Sequence, residues 1–443
     1  VIIRVRLDTR TRRFRDGRVV LGGSPLRLLR LSRTGAEFLD GWAGGDPVGD
    51  RPGERRLAER MMRAGVVHPI GDGPASRDVT VVVPVKDDQW GLRKLLAATG
   101  VDAHRSIVVD DGSAVPVPGA AVRHATARGP AAARNAGYRL ARTGLVAFLD
   151  SDTTPEPGWL DGIAPLFDDP AVAAVAPRIR SHATGIVGVY ESSRSCLDMG
   201  PEPANVHPGG RVRYVPTAAL VVRRAELEAV GGFDETLRYG EDVDLVWRLV
   251  SAGYVVRYQP DSVVWHEPRA TVRDWLRQRV GYGTSAAPLA RRHPELLYCA
   301  RFSGAGAVQY LSLAAGYPVV GLAVGILAAV HKTYRLHGHD IPWPAAARTA
   351  AMGELGAANQ AAEALRRVWW PIALLTGRGR KILAAAYIPA LCEAILRGRG
   401  ARWMALRVAD DAAYGLGVWF GCVRAGNPEP LLPGIGRVGG AGR

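Results

Sequence analysis

The sequence predicts an α/β protein, and three observations lead there. Short runs that are apolar throughout alternate with helix-like stretches from Val79 onward, which is the rhythm of βαβ units. Three of those runs end in carboxylates. The 443 residues, 47% hydrophobic and 22% charged, suffice for two or three domains with a large core and lie far from the composition of disordered chains. Strands apolar on both faces belong in a parallel sheet covered by helices on both sides, and such sheets bind ligands at the carboxyl ends of their strands.

Residues 1–75 are expected to form a small first domain. Strand-like pieces at 2–7 and 18–21 flank a turn at Asp16-Gly17. One helix follows Ser32 and carries Phe38, Leu39 and Trp42; a second carries Leu57, Met61 and Met62 and stops at Gly65. Residues 71–76, Gly-Asp-Gly-Pro-Ala-Ser, read as a linker. Residues 76–295 hold the α/β domain, with strands at 79–85, 106–109 and 145–149 and helices at 92–98 and 131–140. An amphipathic helix opens near Glu241 and turns Trp247, Leu249 and Val250 inward, and a further strand covers 263–265. The opening residues 1–15 alternate charged and apolar side chains, which is not the pattern of a signal peptide.

Residues 296–443 are expected to be a helical, partly apolar tail. The stretch 302–330 has no charged side chain and is long enough to span a bilayer. Its glycines, among them Gly304, Gly306, Gly316, Gly321 and Gly325, and Pro318 leave a buried helical hairpin or a re-entrant segment as the other reading. Two shorter stretches, 368–375 and 382–396, read as interfacial, with Arg378, Arg380 and Lys381 between them.

The formal net charge of +15, from 57 basic and 42 acidic residues, implies an anionic partner: a nucleic acid, a membrane leaflet or a phosphate-bearing substrate. The arginines are dispersed, and no basic stretch is interleaved with aromatics, which argues against nucleic acid. Four cysteines without a C-x-x-C pair suggest neither a zinc site nor a disulfide framework and fit a reducing cytoplasm.

The strand at 145–149 runs into Asp150-Ser151-Asp152, whose carboxylates, two residues apart on an extended segment, face the same way and can approach one divalent ion and the diphosphate it neutralises. The other two strands end in Lys86-Asp87-Asp88 and Asp110-Asp111-Gly112-Ser113. Acidic groups converging on one sheet edge repel unless a cation or a donor-rich ligand joins them. Between them Arg128-Gly129-Pro130 leads into a helix bearing Arg134 and Asn135, with guanidinium and backbone donors suited to a phosphate. Glu241 and Asp242 open the later helix, where the helix dipole alone would favour acids; a carboxylate fixed there also suits general-base work. His266, at the end of the strand that carries Trp265, is either a metal ligand or a satisfied imidazole.

In this order the stretches VVVPVKDD, IVVDDGS, RGPAAARNAGYRLA, FLDSDT, GGFDE and YGEDVDLVWRL resemble the family-2 inverting glycosyltransferases. The resemblance implies the GT-A nucleotide-diphospho-sugar transferase fold, with its Rossmann-like mixed sheet. It also implies a nucleotide-sugar donor, UDP-glucose foremost, and a divalent metal, Mg²⁺ or Mn²⁺. By the same similarity Asp87, Asp111 and Asp150 would hold the uracil and ribose, Asp152 and His266 the metal, and Asp242 would be the catalytic base. Pro84, Asp88, Arg128, Arg134 and Asn135 complete the donor side, and Glu241 and Trp265 lie toward the acceptor. The first motif departs from the family, which usually has a small polar or aromatic residue followed by Asn or an acid. Lys86-Asp87-Asp88 therefore leaves the base-contacting acid open. A Q-x-x-R-W motif is missing after Asp242, which argues against processive synthesis.

The first domain resembles the winged-helix peptide-recognition domains of peptide-modifying pathways, which bind a precursor peptide by adding a strand to their sheet. That module, the transferase motifs and the stretches Asp410-Asp411-Ala412-Ala413-Tyr414 and Arg279-Val280-Gly281-Tyr282-Gly283 are together similar to the glycosyltransferases of mycofactocin biosynthesis in actinobacteria. The similarity implies glucose transfer to a peptide-derived redox cofactor or its precursor at the cytoplasmic face of the cell membrane, where nucleotide sugars are available. The competing expectation within enzymes is a membrane glycosyltransferase for cell-wall polysaccharide or glycolipid. Outside enzymes it is a peptide-binding scaffold docked on a membrane.

Overall fold

The computed structural model describes residues 3–71, 78–99 and 105–436. Apart from Gly71, the expected linker lies outside them, as does Ile2 of the first expected strand. Two compact units divide after Arg269, Val1–Arg269 and Ala270–Arg443, where the sequence reading placed divisions at 75/76 and 295/296.

The first unit begins with β1 (Val5–Leu7), β2 (Arg12–Phe14), β3 (Val19–Gly22) and β4 (Arg27–Arg30), then α1 (Arg33–Ala43), α2 (Pro52–Ala64) and β5 (Val67–Pro69). β2, β3 and β4 form an antiparallel meander, and β1 pairs with β5. Four strands thus precede the helices where the sequence suggested two. The additional ones, Arg12-Arg13-Phe14 and Arg27-Leu28-Leu29-Arg30, are short, basic edge strands whose charge suppresses the apolar signal while protecting the edge. Ser32 caps α1 by accepting from the Gly35 amide, and Gly65 ends α2 at φ 69°, a left-handed position open to glycine. Val20, Leu39, Trp42, Met61 and Val66 form the core of this part.

The α/β part continues with β6 (Val79–Val85), α3 (Gln89–Ala98), β7 (Ser106–Asp110), β8 (Val122–Arg123), α4 (Pro130–Tyr138), β9 (Leu145–Leu149) and β10 (Thr153–Pro155). It then runs through β11 (Val172–Ser181), α5 (Gly185–Arg194), β12 (Ala204–Asn205), β13 (Ala219–Arg223), α6 (Arg224–Ala229), α7 (Glu241–Ser251) and β14 (Val255–His266). The sheet order is β10-β14-β11-β13-β9-β6-β7-β8, with β12 on β14. β9, β6, β7 and β8 are parallel neighbours, whereas β13 enters antiparallel between β9 and β11. β9 is buried along its whole length and β6 everywhere but at Pro84, which is why both read as apolar runs.

Polar contacts attach the first seven elements to this sheet. Buried Asp8 accepts from His68 at 2.9 Å and from Arg211 at 3.0 Å, and the Asn205 amide donates to the carbonyls of Met62 and Arg63 at the end of α2. Burial works against the Asp8 anion, yet His68 and Arg211 hold its carboxyl well below the usual range, and burial lowers the His68 pKa.

The second unit is helical: α8 (Val272–Thr284), α9 (Ala286–Arg292), α10 (Gly304–Ala315), α11 (Pro318–His337), α12 (Trp343–Ala364), α13 (Trp370–Ala373), α14 (Gly377–Ala386), α15 (Ile388–Leu396) and α16 (Ala401–Ala425). The short strands Arg301–Phe302 and Gly434–Ile435 pair in parallel, and one π-helical turn, Leu365–Trp369, follows α12. The stretch 302–330 is not one continuous helix. Gly316, at φ 91°, and Pro318 break it into the antiparallel hairpin α10–α11, in which Gly321 and Gly325 let Gln309 and Leu313 approach closely. The stretch is thus a helical hairpin, but an exposed one and not the buried hairpin expected as the alternative to a span, and α11, at 20 residues with a mean hydropathy of 1.3, has the length and composition to cross a membrane.

Candidate active site

Strand register brings the acidic motifs together. Val85 pairs with Asp110, and β9 lies on the other side of β6, so the turns after β7, β6 and β9 adjoin at one edge. Pro84 sits half-buried in β6 opposite Val109. Asp87 occupies the left-handed region at φ 54°, a conformation that an Asp tolerates when its side chain bonds locally. Here its Oδ1 accepts from the Ala114 amide at 2.7 Å, and its own amide donates to Ser113 Oγ. The β6 and β7 turns are thereby tied together.

Asp88 has a structural task. It caps α3 by accepting from the Gly91 amide at 3.0 Å and also accepts from Ser151 Oγ at 2.9 Å. Asp111 is buried and accepts from His124 Nδ1 at 2.7 Å and from the amides of Arg128 and Gly129 at 2.8 Å each. That clasp fixes the loop leading to α4. The Arg128 guanidinium reaches outward to Glu235 at 2.7 Å. Asn135, expected to touch the donor, is instead consumed by the fold. Its amide donates to Phe233 O and Glu235 Oε1, and its carbonyl accepts from the Phe233 amide, which anchors the Gly-Gly-Phe-Asp-Glu turn.

Arg134 organises the centre. Its buried guanidinium donates to Asp150 Oδ1 at 2.7 Å and Glu241 Oε1 at 2.8 Å, joining the end of β9 to the start of α7. Burial opposes its charge, but the two carboxylates raise its pKa further, so it is a permanent cation. Glu241 is thus an ion-pair partner and not a free acceptor-side group. Asp242, the next residue, differs. Among the described residues its Oδ1 accepts only the neighbouring Val243 amide, and none of their cations pairs with it within ion-pair distance. Burial and the adjacent Glu241 charge push its carboxyl up to about 7. A carboxylate with that pKa at the first turn of a helix can accept a proton from a hydroxyl near neutral pH.

On the far side of Asp150, His266 Nε2 lies 3.6 Å from Asp152 Oδ2, and Arg269 Nη1 lies 3.7 Å from the same oxygen. The first distance is too long for a hydrogen bond and suits two atoms sharing a cation. The buried His266 Nδ1 has no hydrogen-bond partner among the described residues. Burial opposes both charged forms, but the pairing lowers the Asp152 pKa and raises that of His266. One carboxylate and one imidazole fit a divalent ion whose remaining ligands come from a diphosphate and water; no cluster of three or more protein ligands occurs among the described residues. Arg269 is a charge that sequence reasoning missed, although it stands three residues after His266.

Trp265 does not join this set. Adjacent residues of a strand face opposite sides, and Trp265 is sandwiched between His182, ring centroids 4.9 Å apart, and Arg180, at 4.6 Å. Its indole N–H donates to Glu156 at 2.8 Å. Near it Glu267 accepts from Lys94 at 2.6 Å.

Residues 145–358 match the family described as Glycosyl transferase family group 2. Over 97% of its own length and 97% of the relative's, the chain is 40% identical to the pre-mycofactocin glycosyltransferase of Mycobacterium tuberculosis, in strains CDC 1551 / Oshkosh and ATCC 25618 / H37Rv alike. It is 25% identical to the probable glycosyltransferase YdaM of Bacillus subtilis (strain 168) over 34% of this chain and 37% of that protein. A solved structure, the mannosyltransferase PcManGT from Pyrobaculum calidifontis in complex with GDP-Man and Mn²⁺, aligns with 67% of this chain and 92% of that one, at 18% identity and a TM-score of 0.40.

Proposed function

The chain belongs to the pre-mycofactocin glycosyltransferase family, and we propose that it transfers a hexose, glucose foremost, from a nucleotide sugar to a mycofactocin precursor with inversion at the anomeric carbon. Its α/β domain has the GT-A fold, followed by a helical region. The observation that carries the reading is Asp242: a carboxylate with no cation partner among the described residues and a pKa of about 7, held beside the Arg134–Asp150 pair through its neighbour Glu241.

In this reading the nucleoside lies over the turns after β6 and β7, toward Asp87 and Asp111, and the ribose toward Asp150. Asp242 takes the proton from the acceptor hydroxyl as its oxygen bonds to the anomeric carbon. The bond from that carbon to the diphosphate oxygen breaks, and the nucleoside diphosphate leaves with the electron pair. Attack opposite the departing group inverts the centre. Asp152 and His266 would hold a Mg²⁺ or Mn²⁺ ion, which, when bound, supplies charge stabilisation to the leaving diphosphate. Arg269 adds a fixed positive charge at the same place.

The acceptor's peptide part has a docking place of suitable chemistry. β4 is an edge of its sheet among the described residues, and the groove between it and α2 is lined by Arg27, Arg56, Glu59, Arg60 and Arg63. An extended acidic segment could add to that edge. The test is incubation of purified protein with nucleotide sugars and a peptide-derived acceptor, read by mass spectrometry. Hexose increments on the acceptor support the reading; transfer only to a lipid or a polysaccharide primer overturns it in favour of an envelope glycosyltransferase.

A further inference from the structure

Within the second unit, the turn between α10 and α11 and the corner between α13 and α14 meet. Arg378 Nη1 donates to Ala315 O at 2.8 Å, and a Cβ on Gly316 would lie 2.6 Å from the Arg378 guanidinium. The joined tip is apolar and open. Val319 and Leu375 are 78% and 79% exposed, and Leu311, Tyr317, Val320 and Leu374 are exposed with them. Solvent does not explain six large apolar side chains gathered at one corner of a helical unit.

Charge narrows the occupant. Residues 302–330 and 369–392 contain no Asp or Glu, so the charges that the two corners themselves carry are all positive: Arg378, Arg380 and Lys381, each exposed. A second copy of the same tip would bring like charges together, whereas an anionic bilayer complements them. Length narrows it further. The uncharged part of α11, Pro318 to Val330, extends about 20 Å at 1.5 Å per residue, short of the ~30 Å of hydrocarbon in a bilayer, and beyond it come His331, Lys332 and Arg335. Tyr317 at the turn has the amphipathic ring favoured at headgroup level.

We propose that this tip docks monotopically in one leaflet of an anionic membrane, held by the apolar side chains of both corners and by Arg380 and Lys381, without spanning it. The exposed side chains of the tip enter the boundary between headgroups and acyl chains, and the basic residues beside them meet the headgroups.

Flotation of the full chain with vesicles tests this. Phosphatidylcholine vesicles containing phosphatidylglycerol are expected to carry the protein, with binding weakened by added salt. Val319→Glu with Leu375→Glu should abolish flotation on those vesicles and on pure phosphatidylcholine. Arg380→Gln with Lys381→Gln should weaken affinity for the anionic vesicles by roughly 30-fold and leave pure phosphatidylcholine unaffected. This second pair keeps the test decisive where the first fails to fold, as read by circular dichroism. Alkaline carbonate is expected to release the bound protein; retention after that wash would mean a span and overturn the proposal. So would flotation on neither vesicle, or loss of a dimer in Val319→Glu with Leu375→Glu without any change in flotation, which would assign the tip to a second copy.

Discussion

Two pairs of adjacent acids, Asp110-Asp111 after β7 and Glu241-Asp242 at the start of α7, look alike in the sequence and are opposites in the structure. Asp110 is fully buried, yet the amides of Ser113 at 2.8 Å and Val117 at 3.1 Å and the Arg123 guanidinium at 2.6 Å satisfy its carboxylate. Burial alone would raise its pKa; these donors hold it below the usual carboxylate range. Asp242 is half-buried with a like charge beside it and has no comparable set of donors among the described residues, and its pKa goes the other way, to about 7. What separates a structural acid from a chemical one here is the supply of donors, not the depth of burial. In the second pair the Arg134 guanidinium goes to Glu241, and Asp242 is left with the Val243 amide.

The comparison predicts effects of different size and kind. The largest is Asp242→Asn, which keeps the shape of the side chain and removes its basicity; turnover is expected to fall ~10²- to 10⁴-fold with nucleotide-sugar affinity nearly unchanged. Steady-state transfer together with donor-binding calorimetry checks both halves. A variant with near-native turnover would dissolve the distinction between the two acid pairs.

Next comes the pair Asp152 and His266. Asp152→Ala or His266→Ala, or a chelator on the intact chain, should lower turnover on the order of 10²-fold and remove the metal dependence of nucleoside diphosphate binding, because the leaving group loses its counter-charge. Titration with and without Mn²⁺ reads it out. Metal dependence that survives in both variants would move the ion elsewhere.

The smallest effect on chemistry belongs to the first acid pair. Asp110→Asn should leave turnover per folded molecule unchanged and lower stability by roughly 2–3 kcal/mol at neutral pH, since an amide nitrogen would face donors that a charged oxygen now accepts. The sign with pH follows from the lowered pKa. The contribution of Asp110 is fully present above the ordinary Asp range and lost as pH falls through the folded-state value, so the gap between wild type and variant should close in acid. Denaturant unfolding at several pH values decides it.

Much of this architecture was legible in the chain, for physical reasons that differ from element to element. The core strands β6, β7 and β9 are buried on both faces, so composition alone marked them, and the carboxylates after them stood out against that background. Ser32 and Gly65 marked helix ends because capping chemistry is local. The edge strands β2 and β4 were invisible because arginines occupy half or more of their positions. Asn135 and Trp265 misled for another reason. Residue type and spacing reveal a polar group near the site, but they do not reveal that Phe233 and Glu235 already satisfy the one, or that strand alternation turns the other away from His266. Arg269 escaped notice because its relation to Asp152 exists only once β10 and β14 pair, with Thr153 opposite His266.

The central claim is that Asp242 is the group that must lose a proton before transfer. The most direct measurement is the pH dependence of turnover at saturating donor and metal, between about pH 5 and 9. With the base protonated below its pKa, turnover should rise tenfold per pH unit on the acid side and level off near an apparent pKa of about 7, and Asp242→Asn should lose that rise along with most of its activity. A wild-type profile that is flat from pH 5 to 8, or an acid limb that persists unchanged in Asp242→Asn, would contradict the assignment.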